Sequence, residues 1–463
     1  MKYDVAIIGG GPAGSSAATY LRMKGYSVVV FEKEKFPREH VGESLIPHCF
    51  YHLRDMGVLK DVEKMATRKP GINFVDKDGK RQSVWCFERI LKDGAGNIFH
   101  VARAAFDKVL LDHSKKLGAE VLEEHAVKEI DKSNPDEVKI TVTEKNGTDK
   151  LFSARFLIDA SGQGSFLAKK LNDKTPYEGL NRVAFYRRWT NNKYDQSLNA
   201  GLIKLIYLGG DKKGWFWVIP IGRNYLSVGV SVNNEYVRER KKELTGDNWV
   251  NDFYMHELAE AECLKEILGE SIPEHDAKTI GDYSYSVKQK HGENWAMVGD
   301  AGAFLDPIFS SGLFAAMETA KRVTDAVDVQ LREGREAGQA AFTKTFVDIN
   351  GGYKLIEKFV RLFYNPDVLN FSHVGPSDDT GFTKFTNAYN ILHHLLAGDF
   401  FTNYEKYSEF IDTLHDEKNY NKFLHYSRHR AQKFPDDEYC RYTFEEVYGH
   451  LPEDEHLLEA NRK

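Results

Sequence analysis

The first residues able to do chemistry form a glycine-rich turn near the N-terminus. Gly9-x-Gly11-x-x-Gly14 follows the apolar run 3–8, and a helical pattern covers 15–24. Such glycines allow a tight turn and a close approach of the backbone to a pyrophosphate, which the free N–H groups of the helix attract. A carboxylate at Glu32, 18 residues after Gly14, matches the usual partner of a ribose hydroxyl. The alternative is a glycine turn without a ligand. The pattern predicts a dinucleotide site at Gly9, Gly11, Pro12, Ala13, Gly14 and Glu32.

A second candidate site lies at residues 307–312, which end in two serines and a glycine before an apolar helical pattern. This order predicts a helix N-terminus whose unpaired amides, at Ser311 and Gly312, attract an anion. The alternative is an ordinary serine cap that serves only its own helix.

Two further features are a pair of tryptophans and a lysine. Trp215 and Trp217 fall on one face of a predicted strand, where they either line a pocket for a flat ring or belong to the core. Lys69 lies between Arg68 and Pro70. Its pKa would fall if the amine were desolvated, whereas an exposed lysine in a basic cluster is the alternative.

The elements that must position these residues alternate between strand and helix. Strands are expected at 3–8, 28–31 and around 119–121, and Arg103 should open a helix. The stretch Ala126-Val127 is expected to end the next strand. A strand at 156–160 should enter a glycine turn, and a strand at 295–298 should lead through Gly299-Asp300 into a helix. This order predicts an α/β fold of the Rossmann type.

Composition excludes several classes. The 63 basic and 69 acidic residues give a net charge of −6, which argues against a general nucleic-acid binder. The four cysteines form no CxxC pair, so neither a zinc site nor a disulfide framework is expected, and free thiols favour a cytoplasmic protein. No metal site, signal peptide or membrane-spanning run is predicted.

Together the motifs resemble the flavin-dependent halogenases, enzymes that place chlorine, bromine or iodine on electron-rich aromatic rings. The resemblance rests on the glycine turn, the Phe-Pro-Arg-Glu-His-Val-Gly-Glu-Ser-Leu segment at 36–45, Trp215-x-Trp217-x-Ile219-Pro220, and residues 299–312. It covers most of residues 1–335 and is weak beyond them. It implies the FAD-dependent monooxygenase fold in four segments. These are the first part of the FAD-binding domain (1–180), a β-rich substrate-side region (181–280), the second FAD-binding part (281–335) and a helical C-terminal region that closes the substrate pocket (336–463).

The resemblance also implies roles for individual residues. FAD is expected to contact, besides the glycine turn, Arg38, His40, Val41, Gly42, Glu43, Ser44, Arg103, Val127, Asp300 and Pro307. A halide is expected at the amides of Ser311 and Gly312, while Trp215 and Trp217 separate the substrate from the flavin. Lys69 is expected to direct hypohalous acid to the substrate ring. Tryptophan halogenases carry a glutamate where this chain has Phe309, so a phenol- or pyrrole-type ring is expected.

The function implied is electrophilic halogenation with reduced FAD, dioxygen and a halide ion (chloride, bromide or iodide). No second GxGxxG unit occurs in the sequence, so a separate flavin reductase is the expected partner. The aromatic substrate arrives free or bound to a carrier protein. The alternatives are a single-component flavin hydroxylase, a flavoenzyme resembling geranylgeranyl reductase, and a non-catalytic flavin-binding redox sensor.

Overall fold

The structure, a computed structural model, describes residues 2–190, 194–195, 199–209, 212–244, 246–281, 284–374, 383–416 and 440–451, with the backbone alone over 383–387. Its strands are β1 (Lys2–Ile8), β2 (Val28–Phe31), β3 (Thr67–Lys69), β4 (Gly71–Val75), β5 (Gln82–Cys86), β6 (Ile98–His100), β7 (Glu120–Leu122), β8 (His125–Asn134), β9 (Glu137–Glu144), β10 (Asp149–Asp159), β11 (Lys174–Pro176), β12 (Arg182–Thr190), β13 (Ile203–Tyr207), β14 (Trp215–Gly222), β15 (Tyr225–Asn233), β16 (Ile272–Pro273), β17 (Lys278–Gly281), β18 (Tyr285–Val287), β19 (Trp295–Met297) and β20 (Ala303–Phe304). Its α-helices are α1 (Pro12–Met23), α2 (Cys49–Asp55), α3 (Leu59–Glu63), α4 (Arg103–Lys116), α5 (Phe166–Leu171), α6 (Asn234–Lys241), α7 (Trp249–Glu260), α8 (Glu262–Leu268), α9 (Ser311–Glu333), α10 (Arg335–Phe363), α11 (Thr383–Ala397), α12 (Tyr404–Leu414) and α13 (Phe444–Tyr448).

The first sheet is the nucleotide-binding type that the sequence predicts. Its strand order is β7-β2-β1-β10-β9-β8, with β19 also paired to β10. The pairs of β1 with β2 and β10, of β2 with β7 and of β10 with β19 are parallel. The central strands are apolar and buried because helices cover the sheet. The predicted α/β class is confirmed.

The turn after β1 requires glycine for close packing. A Cβ at Gly14 would lie 1.9 Å from the carbonyl oxygen of Gly9, which no side chain tolerates. Helix α1 therefore starts directly against the end of β1, with its N-terminus at the carboxyl edge of the sheet.

The second sheet contains strands from residues 181–281 and two strands from earlier in the chain. Its order is β16-β12-β15-β14-β13-β4-β5, with β17 also paired to β12. Strands β4 and β5 come from residues 71–86, inside the segment 1–180, so the two sheets share the N-terminal part of the chain. The faces of β14 differ as predicted. Trp215 and Trp217 pack into the main core, whereas Phe216 and Val218 pack into a separate one with α7 and α8.

The C-terminal region is helical over its described part. Helix α9 packs on α1 and on α10, and α12 packs on α10. None of the helices within the described ranges is both long and apolar enough to cross a bilayer.

Three local expectations are wrong. Val127 lies near the start of β8 rather than at a strand end. A 3₁₀ turn, not a helix, follows at Gly299–Ala301, and the long helix begins only at Ser311.

The third concerns the cysteines. Cys86 and Cys440 form a disulfide across 354 residues, while Cys49 and Cys263 are free. The scattered spacing gave no sign of this pair because its partners meet only in the folded chain. The pairing removes the free-thiol argument on which the cytoplasmic expectation rested.

Candidate functional site

One cavity of about 770 Å³ joins the two sheets at the carboxyl edge of the first. It brings together residues that are far apart in the sequence. The predicted site residues that line it are Gly9, Gly11, Pro12, Ala13, Glu32, Arg38, His40, Val41, Gly42, Glu43, Ser44, Arg103, Val127, Trp215, Trp217, Asp300, Pro307 and Gly312. Gly14, Ser311 and Lys69 are not part of this lining.

Glu32 is held at one end of the cavity by backbone amides. One carboxylate oxygen accepts from the N–H of Gly10 at 2.7 Å, and the other from the N–H of Glu34 at 2.8 Å. The side chain is 5% exposed. The two N–H donors fix the position of the carboxylate, whose oxygens can also accept from ribose hydroxyls.

Arg103 ties the segment 36–45, here called the flavin loop, to helix α4. Its guanidinium pairs with both oxygens of Asp107, at 2.8 and 2.9 Å, and donates to the carbonyl of Val41 at 2.8 Å. Gly42 follows with φ of +102°, a left-handed conformation that favours glycine. Asp107 is not among the predicted site residues, although its i+4 spacing from Arg103 on a helix is a readable signal.

The flavin loop is also held from the second sheet. Glu43 forms a buried ion pair with Arg188 of β12, N to O 2.9 Å. Glu39 pairs with Lys278 of β17 nearer the surface. A charge pair removed from water fixes geometry because breaking it would strand a buried charge. Nothing local in the sequence pointed to Arg188.

Asp300 lies on the 3₁₀ turn after β19 and faces the cavity. Burial raises the pKa of Asp300 to about 7, and the nearby Arg103 charge acts in the opposite direction. A carboxyl group in this state needs a hydrogen-bonding partner.

Residues 306–312, here called the anion turn, connect this region to α9. Ser310 has φ of +55°, and the helix starts at the next residue. The first amides of a helix have no partner inside it, and Gly312 exposes this first turn to the cavity while Ser311 is buried beside it. Phe309 stacks on Phe359 of α10 with ring centroids 4.0 Å apart, in the core rather than in the cavity lining.

The tryptophans form one wall of the cavity. Their ring centroids are 5.5 Å apart. Trp217 lies flat over Gly229 of β15, where a Cβ would come within 2.2 Å of the indole. Glycine on the neighbouring strand therefore makes room for this ring.

Lys69 is fully buried at the end of β3. Its ammonium donates to the carbonyl of Leu45, the last residue of the flavin loop, at 2.7 Å, and faces the ring of Phe87. Among the described residues it has no ion-pair partner. Burial lowers the pKa of Lys69 from 10.5 to about 7, with a small opposing influence from Cys49. The exposed alternative for this lysine is wrong.

The C-terminal segment 440–451 covers the strand that carries Lys69. Cys440 bonds to Cys86, Tyr442 donates to Glu88 at 2.7 Å, and His450 contacts the carbonyl of Ala66 at 3.0 Å. Residues from both ends of the chain thus pack around β3, the strand that ends at Lys69.

The cavity lining fits a flavin dinucleotide. One of its buried polar atoms, Oγ of Ser44, has no hydrogen-bond partner among the described residues, and Nη1 of Arg38 has only an ion-pair contact with Asp107 at 3.3 Å. Buried polar atoms rarely stay unpaired. With Glu32, the glycine turn and α1 they form a set of groups suited to ribose, phosphate and ring atoms.

Comparisons with known proteins give flavin-dependent halogenases among the similar proteins. The sequence model of the family described as FAD binding domain matches residues 2–339. The chain is 31% identical over 390 residues to a 1H-pyrrole-2-carbonyl-[peptidyl-carrier protein] chlorinase of Pseudomonas fluorescens, covering 79% of this chain and 84% of that one. It is 31% identical over 396 residues to the flavin-dependent halogenase armH1 of Armillaria mellea, and the match covers 80% of this chain and 75% of armH1.

A solved structure agrees with the sequence relatives. A triple mutant of the flavin-dependent brominase Bmp2 is similar with a TM-score of 0.76 and 25% identity, covering 91% of this chain and all of that one. The range 2–339 includes every residue that the sequence assigned to the cofactor, the anion and the lysine sites.

Proposed function

Because the chain belongs to the family of flavin-dependent halogenases, we propose that it places a halogen on an electron-rich phenol- or pyrrole-type ring and that Lys69 directs this step. Bound reduced FAD supplies the chemistry by which dioxygen oxidises a halide to hypohalous acid. The observation that carries the proposal is the shared cavity, because the glycine turn, the anion turn and both tryptophans line it together.

The anion turn holds the halide in this proposal. The first amides of α9, at Ser311 and Gly312, point their dipoles at the ion, and the apolar residues around them limit its hydration. An ion that has lost most of its water is a better nucleophile. Trp215 and Trp217 keep the substrate ring out of the flavin part of the cavity.

Lys69 is the catalytic residue of the final step. With its pKa lowered to about 7 by burial, a large share of the amine is neutral near neutral pH. In one route the neutral amine takes the halogen from hypohalous acid, so that an N–halogen bond replaces the O–halogen bond and water leaves; in the other the ammonium form donates a hydrogen bond to hypohalous acid. Its bond to Leu45 links the lysine to the end of the flavin loop.

The substrate class follows from Phe309. This side chain is packed against Phe359 and offers no base. A phenol or pyrrole is activated by its own heteroatom and needs less help in losing the ring proton. The named substrate of the Pseudomonas fluorescens relative supports a pyrrole, and a ring tethered to a carrier protein is the second form to test.

A separate flavin reductase completes the proposed system. In the halogenase itself, FAD is bound by residues 1–180 and 281–335, and the second sheet lies over the cofactor. The region 336–463 closes the substrate side of the cavity.

The test is mass spectrometry of reactions with the purified protein, FAD, NADH and a flavin reductase. Chloride, bromide and iodide are each supplied with a phenol panel and with free and carrier-bound pyrrole-2-carboxylate. A product mass that follows the halide is expected, and Lys69→Ala should abolish it while FAD binding persists. A hydroxylated or hydrogenated product independent of halide would identify a hydroxylase or a reductase instead. No turnover at all, with flavin behaviour unaffected by Lys69→Ala, would point to a redox sensor.

A further inference from the structure

A chain of hydrogen bonds connects the tryptophan wall to the anion turn. The indole N–H of Trp215 donates to the hydroxyl of Tyr364 at 2.8 Å, and that hydroxyl donates to Asp306 at 2.8 Å. The other oxygen of Asp306 accepts from the N–H of Ile308 at 3.1 Å. Three segments, β14, the end of α10 and the anion turn, therefore meet at one phenol.

The surroundings make this arrangement specific. Asp306 is fully buried, and the guanidinium of Arg182 lies 3.7 Å from the ring centroid of Tyr364. Burial raises the pKa of the Asp306 carboxyl, and the charge of Arg182 counteracts this. A buried carboxylate oxygen that loses its donor carries a desolvation cost, so removal of the Tyr364 hydroxyl takes one donor from Asp306, which keeps the N–H of Ile308, and takes the hydroxyl acceptor from the indole N–H.

We propose that Tyr364 is a positioning residue for halide binding and oxidation, because its hydroxyl fixes Trp215 on the cavity wall and the anion turn that leads into Ser311 and Gly312. This inference rests on the proposed function and extends it to a residue of the C-terminal region. Tyr364 is not itself among the residues that line the cavity, so it acts through Trp215 and Asp306.

The test compares Tyr364→Phe with a matched control on the same helix. Tyr353 of α10 is buried, whereas Tyr364 at the C-terminal end of that helix is half-buried. The hydroxyl of Tyr353 has no hydrogen-bond partner among the described residues, so Tyr353→Phe removes the same atom without breaking a hydrogen bond. In Tyr364→Phe we expect the KM for bromide to rise roughly tenfold with a smaller change in kcat. The share of reduced flavin lost as hydrogen peroxide should rise, while the FAD Kd stays near that of the wild type.

A binding measurement separates this inference from the proposed function. Hydrogen exchange of the segment 306–316 is followed in the FAD-loaded protein with and without sodium bromide. Wild-type protein should show bromide-dependent protection that Tyr364→Phe loses and Tyr353→Phe keeps. Wild-type protein that makes no halogenated product refutes the proposed function, and the exchange result still decides the role of Tyr364.

Two results would overturn the inference. The first is that Tyr364→Phe and the wild type have the same KM for bromide, lose the same share of reduced flavin as hydrogen peroxide and show the same bromide-dependent protection from hydrogen exchange. The second is that Tyr353→Phe changes these three quantities as much as Tyr364→Phe does. If Tyr364→Phe does not fold, Trp215→Phe breaks the same chain at its other end and should raise the bromide KM in the same direction. An unchanged bromide KM in that variant counts against the proposal.

Discussion

Replacing Lys69 with methionine should stabilise the protein near neutral pH while abolishing halogenation. The pKa of Lys69 is lowered by burial from 10.5 to about 7. Three to four pKa units correspond to about 5 kcal/mol of unfavourable charge burial at neutral pH. Loss of the hydrogen bond to the carbonyl of Leu45 destabilises the methionine variant by about 1 kcal/mol and offsets part of this effect. The expected net stabilisation at pH 7 is therefore up to about 4 kcal/mol.

The difference in free energy of unfolding between the methionine variant and the wild type must decrease as the pH rises. In the unfolded chain Lys69 keeps its proton up to about pH 10.5, whereas in the folded protein it releases the proton from about pH 7. Between these values the unfolded state holds more protons, so wild-type stability rises with pH. From pH 7 to about pH 9.5 the advantage of the methionine variant should fall by about 3 kcal/mol. Other groups titrate in both proteins and cancel in the difference.

The measurement is urea unfolding of the FAD-free wild type and variant at both pH values, followed by tryptophan fluorescence. A stability difference independent of pH would refute the reasoning, since it would mean that Lys69 stays charged and hydrated in the folded protein. Lys290 provides a control. It is also buried, with its pKa lowered by burial to about 8, and it lies outside the main cavity. Lys290→Met should show a smaller pH-dependent difference and retain halogenation.

Three further outcomes follow from contacts described above. Gly14→Ala should abolish folding, because the added Cβ would lie 1.9 Å from a carbonyl oxygen. Gly11→Ala should fold but bind FAD weakly, because its Cβ would meet only the flexible end of Arg38 at 3.3 Å. Circular dichroism followed by a flavin titration distinguishes the two variants, and equal folding of both would be inconsistent with this geometry. Cys440→Ser should lower the stability by about 2–5 kcal/mol, and dithiothreitol should lower the melting temperature of the wild type but not of the variant; an unaffected wild type would argue against the disulfide. Arg103→Lys should weaken FAD binding roughly tenfold because a lysine cannot replace the two-pronged bond to Asp107 and the carbonyl contacts, and an unchanged Kd would speak against that role.

The parts of the site that depend on local sequence could be predicted. The turn at Gly9–Gly14 needs only neighbouring residues, and Glu32 follows at a spacing set by one strand, one helix and one more strand. The alternation of Trp215 and Trp217 is likewise a property of a single strand. These features need no knowledge of the rest of the chain.

The parts of the site that depend on contacts between distant segments could not be predicted from the sequence. The pairs of Glu43 with Arg188 and of Cys86 with Cys440 join segments whose approach is decided by the second sheet. The burial of Lys69, and hence its lowered pKa, depends on tertiary packing that includes contacts with Leu45 and Phe87. Tyr364 had no motif around it, since its role exists only where two other segments converge.

The packing of residues 440–451 on β3 and Cys86 limits how this enzyme can be recombined with its relatives. A hybrid whose new C-terminal region lacks a cysteine at the place of Cys440 would leave Cys86 without its disulfide partner and β3 without this cover. A shortened version ending before Cys440 would open the lysine to water. Engineers who seek new ring specificity by grafting the C-terminal region should therefore move residues 67–86 together with it.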